Sequence, residues 1–213
     1  MKKLFLLLLI INWPLMIVHG EDIKDVFTTM PDSLLPLLTE KNRHDMVDFY
    51  QNKMEAKVRN RLNDYVRLDT LTDSYLRLTL SRVSSLEMKL LETTDSVSII
   101  CLVRTLSAPA SDSQVEFYNR DWQRLHWLAL PVAKTQEYFA AAPDSVSRDL
   151  ELAQRSLDDL RLVSVTVAPD QPIFTLQVAT DELERDAKKL ARRYVRALRY
   201  RWTGSDFERF SAE

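Results

Sequence analysis

Residues 96–104, with the sequence Ser-Val-Ser-Ile-Ile-Cys-Leu-Val-Arg, decide the fold of this chain. β-Branched Val and Ile favour an extended backbone, and apolar residues at both odd and even positions are typical of a strand covered on both faces. Side chains alternate between the two faces along a strand. One face would carry Val97, Ile99, Cys101 and Val103, and the other Ile100 and Leu102. We therefore expect the rest of the chain to cover this strand.

Three further stretches alternate between apolar and polar residues with the period of two that is typical of strands. They are residues 75–80, 86–90 and 114–118. In the second of them the apolar residues are predicted to point inward, and Glu87 and Lys89 outward. The connections are short and polar, whereas parallel crossovers need about a dozen residues or more. The sequence therefore predicts an antiparallel meander.

Helices are predicted before this meander. Residues 22–38 have the pattern of short helical segments, and a helix is predicted from about residue 43 to residue 59. Asn42 is its predicted N-cap, with Asp45 at the N3 position of a capping box. The apolar face of this helix would pack on the sheet.

A second block of helices and strands is predicted after residue 130. It comprises a short helix at 135–139, a helix capped by Ser145, strands at 163–167 and 173–179, a charged helix at 181–190, and strands at 194–202 and 207–210. The expected fold is α+β, with N-terminal helices packed on an antiparallel β-meander and a second helix-plus-strands block. Residues 21–130 and 131–213 would hold the two blocks, either as one continuous domain or as two subdomains.

The N-terminus has the pattern of a cleavable secretory signal. Lys2 and Lys3 precede an apolar stretch, and Val18-His19-Gly20 places small residues before a cleavage site. We predict a signal peptide over residues 1–20 and an exported protein, in the periplasm or at the cell surface. No later stretch approaches the roughly 18 apolar residues that cross a bilayer.

The composition excludes several classes of function. After signal cleavage the chain keeps a single glycine, Gly204, whereas phosphate loops, dinucleotide-binding fingerprints and nucleophile elbows need several. Cys101 is the only cysteine, so no internal disulfide forms, and its apolar neighbours predict a structural role. The formal net charge of −2 argues against a general nucleic-acid binder. We expect no cofactor, no metal site and no assigned catalytic residue.

Two surface features are candidate binding sites. Basic and aromatic residues alternate near the C-terminus, where Arg192, Arg193 and Arg196 could bind an anionic lipid headgroup, a glycan or a partner protein. The alternative is a solvated helix face followed by an edge strand protected by its charges. Trp122 and Trp127 flank His126 and could contact a sugar or a peptide, or else plug one end of a sheet.

His44 and Asp48 are spaced to share one face of a helix, where they could bind a metal or relay a proton. A single His with one carboxylate is an incomplete ligand set. The alternative is that Asp45 closes the capping box while both side chains lie in solvent.

Several strings of residues together resemble a known family. They include Met30-Pro31-Asp32-Ser33-Leu34-Leu35-Pro36-Leu37-Leu38-Thr39, Leu71-Thr72-Asp73-Ser74-Tyr75-Leu76, Ile100-Cys101-Leu102-Val103-Arg104-Thr105 and Tyr200-Arg201-Trp202. The chain resembles a family of exported proteins from anaerobic Gram-negative bacteria that is defined only as a domain of unknown function. The resemblance implies export and a shared fold, and it brings no catalytic residues.

Three hypotheses of function follow. The first is a noncatalytic exported binding or interaction module of the cell envelope, whose partner is an envelope protein, a glycan or a lipid headgroup. The second is a hydrolase or lyase that uses carboxylates with His44 or His126. The third is an envelope structural protein that docks through the basic C-terminal segment. A pocket that gathers one His with two acids would favour the second.

Overall fold

The computed structural model describes residues 22–140, 147–159 and 161–211. The predicted signal peptide and the predicted N-cap Ser145 lie outside the described residues. Within the described part of the chain, no helix is both long enough and apolar enough to span a bilayer.

The N-terminal helices are α1, Ile23–Thr28, and α2, Glu40–Gln51. The capping box of α2 lies three residues before its predicted position: Thr39 is the N-cap, and its side chain accepts from the Asn42 backbone N–H at 3.1 Å. The helix also ends earlier than predicted, because Lys53 adopts a left-handed conformation with φ of 57° just beyond the C-cap. Residues that were predicted to extend this helix instead form the first strand.

The first sheet is an antiparallel meander of six strands in sequence order. Its strands are β1 Lys57–Arg59, β2 Tyr65–Leu71, β3 Tyr75–Thr79, β4 Ser84–Glu92, β5 Ser98–Ser107 and β6 Ser111–Tyr118. The predicted meander is confirmed, and β1 and β2 are two strands that the sequence pattern missed. Charged residues alternate with apolar ones over only part of β2, where a register shift lies between Leu68 and Thr70.

The C-terminal block forms a separate antiparallel sheet of four strands in the order β10-β9-β8-β7. Its elements are a 3₁₀ turn at Thr135–Tyr138, α3 Ser147–Asp159, β7 Val163–Val167, β8 Ile173–Val178, α4 Arg185–Tyr194, β9 Leu198–Trp202 and β10 Phe207–Phe210. Helix α4 begins and ends later than predicted, so β9 begins only at Leu198. Helices and two antiparallel sheets confirm the α+β class.

The first sheet is buried on both faces over β4 and β5. Helices α1 and α2 cover one face, where Ile100 and Leu102 lie in a core with Met46 and Leu38. The second sheet covers the other face, where the core consists of apolar and aromatic residues of both sheets, including Ile99, Cys101, Val103, Phe117, Phe174, Trp202 and Phe207. The two-sided burial predicted for residues 96–104 is confirmed, except that Val97 precedes β5 and is 55% exposed.

Side chains of the first sheet protect the outer edge of β7. Each accepts a hydrogen bond from a backbone N–H: Asp112 from Val163 at 3.0 Å, Ser113 from Val165 at 2.9 Å and Glu87 from Val167 at 2.9 Å. These bonds satisfy edge donors that would otherwise be open to pairing with another chain. They also fix the position of the second sheet against the first.

The outward orientation predicted for Glu87 and Lys89 is wrong. Glu87 is 2% exposed and Lys89 is 4% exposed, because the second sheet covers the face of β4 that carries them. The alternation of side chains along β4 was correctly predicted. The error lies in assuming that the polar face of this strand meets solvent.

Candidate functional site

A cleft of 470 Å³ opens at one end of the interface between the two sheets. It lies among β4, the start of β5, the β7–β8 turn and the β9–β10 turn. Five of its lining residues carry hydroxyl groups: Ser74, Thr93, Thr94, Ser98 and Thr203. Lys89 lies at its inner side, and we call this space the Lys89 cleft.

Lys89 is a buried ammonium group with incomplete hydrogen bonding. Its Nζ donates to Ser74 Oγ at 2.9 Å and to the Pro169 carbonyl at 2.6 Å. An ammonium carries three N–H donors, and the third has no partner among the described residues. Burial lowers the pKa of Lys89, and the nearby Asp170 carboxylate opposes this shift. One N–H of the lysine is therefore available to a ligand in the cleft.

The other polar groups of the cleft add acceptors and donors around this lysine. Ser98 and Thr94 line it, and neither hydroxyl forms a hydrogen bond with another described residue. The carboxylates of Glu92 and Asp170 are exposed at the same cleft. Ammonium, hydroxyl and carboxylate groups together can bind a ligand that both donates and accepts hydrogen bonds.

A second polar network lies beside Lys89 on the same face of β4. Glu87 Oε1 accepts from Arg77 Nη1 at 3.2 Å, while Oε2 accepts from the Val167 N–H. Burial raises the pKa of Glu87, although Val167, Arg77 and Tyr75 each favour its ionised form. This carboxylate holds the two sheets together and does not line the cleft.

Cys101 is fully buried between the sheets. Burial, together with the charge of Glu87, raises the pKa of its thiol well above the usual value. The thiol therefore stays protonated, as expected for a structural cysteine.

Gly204 forms one wall of the Lys89 cleft. Its φ of +99° is in the region that favours glycine, and a Cβ there would lie 3.2 Å from both the backbone N and the Cγ2 of Thr94. Its carbonyl accepts from the Thr94 N–H at 3.2 Å, which joins the β9–β10 turn to the β4–β5 turn. The close approach of these two turns requires a residue without a side chain.

We predict that Gly204→Ala lowers the free energy of unfolding by about 1–3 kcal/mol, because it combines backbone strain with a contact against Thr94. Urea denaturation measures this change. Ser205→Ala in the same turn is the matched control, since Ser205 is exposed, and its stability should stay near that of the wild type. Equal stability of the two variants would contradict the prediction.

The arginines predicted as a binding site lie on and after α4. Arg192 is 3.5 Å from Asp181, and the guanidinium of Arg193 lies 5.5 Å from the centre of the Tyr194 ring. Arg196 Nη1 donates to the carbonyls of Arg193 and Val195 at 2.9 Å each, at the C-terminal end of the helix. None of these arginines lines the Lys89 cleft. Docking through this surface stays a prediction.

The structure places Trp122 and Trp127 in different surroundings. Trp122 packs on the core between the first sheet and helices α1 and α2, which we call the helix-side core, and its ring lies 5.8 Å from that of Tyr118. Trp127 is 70% exposed, and His126 is also exposed. Trp122 is therefore partly used in core packing, and binding of a sugar or a peptide at these tryptophans stays a prediction.

The catalytic arrangement required by the hydrolase hypothesis has no support among the described residues. His44 lies in solvent, 3.9 Å from Glu40, and neither it nor His126 lines the Lys89 cleft or four other clefts found among these residues. Within the same residues, no three His, Cys, Asp or Glu side chains converge as a metal site would require.

Two of the three comparisons with known proteins gave a match. The model of the protein family described as "Protein of unknown function (DUF3256)" matches residues 15–207. A solved structure of a domain of an uncharacterized protein from Porphyromonas gingivalis W83 has a TM-score of 0.74 and 24% sequence identity, and the match covers 92% of this chain and 100% of that chain. This structure shares the fold. No curated protein matches. With a match over nearly its whole length, the chain belongs to the DUF3256 family of proteins of unknown function.

Proposed function

We propose that this protein is a noncatalytic binding module of the cell envelope, exported to the periplasm or the cell surface, and that it binds a glycan in the Lys89 cleft. The observation that carries the proposal is a buried lysine whose third N–H faces no described acceptor, in a cleft lined by hydroxyl groups. An acceptor on a ligand would replace water at this N–H, and a hydrogen bond to a charged group contributes about 1.5–3 kcal/mol.

The size and chemistry of the cleft support a glycan. Ligand sites typically measure about 300–1,000 Å³, and this cleft has 470 Å³. Sugar hydroxyls both donate and accept hydrogen bonds, so they can use the Lys89 N–H, the hydroxyls of Ser98 and Thr94, and the carboxylates of Glu92 and Asp170. The two carboxylates outnumber the single ammonium, which favours an uncharged glycan over an acidic one.

Export is supported by the N-terminal sequence. Lys2 and Lys3, the apolar stretch after them and the small residues before Glu21 form the pattern of a secretory signal. The resemblance to exported bacterial proteins points the same way. A protein of the envelope would meet glycans at high local concentration.

The test of this function is direct binding of neutral disaccharides. We expect one or more of maltose, cellobiose and N,N′-diacetylchitobiose to bind with one site per chain by isothermal titration calorimetry. Lys89→Met should weaken that binding by about tenfold or more, because a hydrogen bond to a charged group contributes about 1.5–3 kcal/mol. Ser98→Ala should weaken it less, since its hydroxyl is neutral.

Two control variants accompany Lys89→Met, and the urea unfolding curve of Lys89→Met itself separates loss of binding from loss of folding. Lys41→Met removes an exposed lysine on α2 and should leave the affinity unchanged. Ser98→Ala removes no hydrogen bond to a described residue, so its unfolding curve should match that of the wild type. Absence of saturable binding by all three sugars, or equal affinity of the wild type and Lys89→Met, would refute the proposal.

A further inference from the structure

A second cleft, of 380 Å³, opens on the interface between the sheets and shares no lining residue with the Lys89 cleft. It lies between the start of β6, the start of β7 and the connecting segment 129–133. Its walls are largely aliphatic, from Val115, Leu130, Pro131, Val163, Val165 and Leu176. Tyr138 also lines it, and we call it the Tyr138 cleft.

The hydroxyl of Tyr138 has no hydrogen-bond partner among the described residues, although the side chain is buried. Tyr138 is 1% exposed, and its hydroxyl has no hydrogen bond to a described residue. In contrast, the buried Tyr118 donates to Glu116 at 3.2 Å. No side-chain oxygen or nitrogen among the described residues is both enclosed and unbonded, so the Tyr138 hydroxyl is open to space, and Tyr138 is one of the residues that line the cleft.

Burial raises the pKa of Tyr138 to about 12. The hydroxyl is therefore protonated at neutral pH and can donate a hydrogen bond. An acceptor inside the cleft would satisfy it.

Arg161 supplies a positive charge at the same cleft. It is exposed and forms no ion pair with a described residue. The carboxylate that also lines the cleft is Asp112, whose Oδ1 accepts from the Val163 N–H at 3.0 Å. Asp112 keeps its negative charge, but the Val163 N–H holds one of its oxygens at β7, whereas the exposed Arg161 guanidinium has no ion-pair partner among the described residues and can pair with an anion.

We propose that the Tyr138 cleft binds a medium-chain carboxylate amphiphile. The carboxylate pairs with the Arg161 guanidinium and accepts from the Tyr138 hydroxyl, while the alkyl chain lies against Val115, Val165 and Leu176. A guanidinium and a hydroxyl donor match the two oxygens of a carboxylate. Each methylene buried on the aliphatic wall adds about 0.8 kcal/mol. This second site does not depend on the glycan site.

Decanoate is the probe for this inference. We expect calorimetric titration of the purified protein to show saturable binding of decanoate with one site per chain, and binding of decanol about tenfold weaker. Arg161→Gln should weaken decanoate about tenfold and leave decanol unchanged, because the charge of Arg161 acts only on the carboxylate. Tyr138→Phe should weaken both ligands by a smaller factor.

A control variant shows whether the effect on decanoate binding is specific to Arg161. Arg82→Gln removes an exposed arginine of the β3–β4 turn, outside the cleft, and should bind decanoate as the wild type does. The inference fails if decanoate shows no saturable binding up to about 1 mM, where binding energy is only about −4 kcal/mol. It also fails if decyltrimethylammonium binds as tightly as decanoate.

Discussion

Replacing Arg43 by alanine is expected to lower the free energy of unfolding by about 3–5 kcal/mol, as for other residues whose loss leaves a buried polar network without its partner. The guanidinium is 2% exposed on α2. It joins this helix to the loop between α1 and α2, which also bonds Arg104 and Arg61 through its backbone carbonyls.

The hydrogen bonds of Arg43 explain this effect. Its guanidinium donates to three buried carbonyls, those of Thr28 at 3.3 Å, Met30 at 2.6 Å and Leu38 at 3.2 Å. It also pairs with Asp32 at 2.9 Å. Alanine would leave these carbonyls without a donor and would open a cavity in the helix-side core, so both terms destabilise the fold.

Urea denaturation at neutral pH measures the loss. Arg43→Lys should recover part of the stability. Its ammonium keeps the positive charge, but it cannot reach all three carbonyls that the planar guanidinium bonds. Arg61→Ala is the control, because Arg61 is the exposed partner of the same Asp32 and bonds it at 2.5 Å. A loss below about 1 kcal/mol for Arg43→Ala would show that the network does not hold the loop.

Most of the strands could be predicted from the sequence because period-two alternation is a local signal. The burial of β5 on both faces was predicted from residues 96–104 alone. The ends of α2 were not predicted correctly, because the capping box and the left-handed Lys53 depend on which of several polar residues bonds the backbone. The order of the strands within the first sheet followed from short connections, whereas the packing of the second sheet on it depends on long-range contacts.

The candidate site was not predicted, although a signal was present. Lys89 lies directly opposite Cys101 in the hairpin of β4 and β5, and Glu87 lies opposite Val103. A strand that is covered on both faces requires its neighbour to be covered too, so these charges had to be buried or paired. The sequence pattern shows alternation along one strand, but it does not show which face a second sheet covers.

The arginines and tryptophans chosen from the sequence illustrate the opposite error. Arg196 lies beside Arg193 in the chain, yet its side chain bonds backbone carbonyls at the end of α4. Trp122 is near Trp127 in the sequence, but its ring packs on Tyr118. Residues close along an irregular segment need not share a surface, which only the tertiary structure decides.

Replacing Glu87 by alanine should lower the free energy of unfolding by about 3 kcal/mol. The substitution removes the acceptor of the Val167 N–H and leaves a cavity between the sheets. The other partner, Arg77, is partly exposed, so water can solvate its guanidinium after the substitution. The loss of stability should therefore be at the lower end of the range of about 3–5 kcal/mol for breaking a buried ion pair. Glu87→Gln keeps the size and one acceptor oxygen, so its cost at low pH should be much smaller.

The pH dependence of stability, compared between the wild type and Glu87→Gln, tests whether burial raises the pKa of Glu87. The pKa of Glu87 is raised in the folded protein, so the folded state binds its proton more tightly than the unfolded state. Its contribution to stability is then present in full at a pH below the unfolded value and decreases as pH rises through the folded pKa. Glutamine cannot titrate. Urea denaturation from pH 4 to pH 7 should therefore show Glu87→Gln gaining stability relative to the wild type as pH rises.

Other carboxylates do not affect the comparison of the wild type with Glu87→Gln, because both proteins contain them. Hydrogen bonds with Arg43 and Lys188 are the main cause of the lowered pKa values of Asp32 and Asp181. These two carboxylates act in the opposite direction, because their contribution to the stability of the fold is lost as pH falls. Their effects cancel in the difference between wild type and Glu87→Gln. A difference that is independent of pH would mean that Glu87 has the same pKa in both states, and a difference of opposite slope would mean that Arg77 and Val167 outweigh burial. The slope thus measures the balance between desolvation and hydrogen bonding at the position that joins the two sheets.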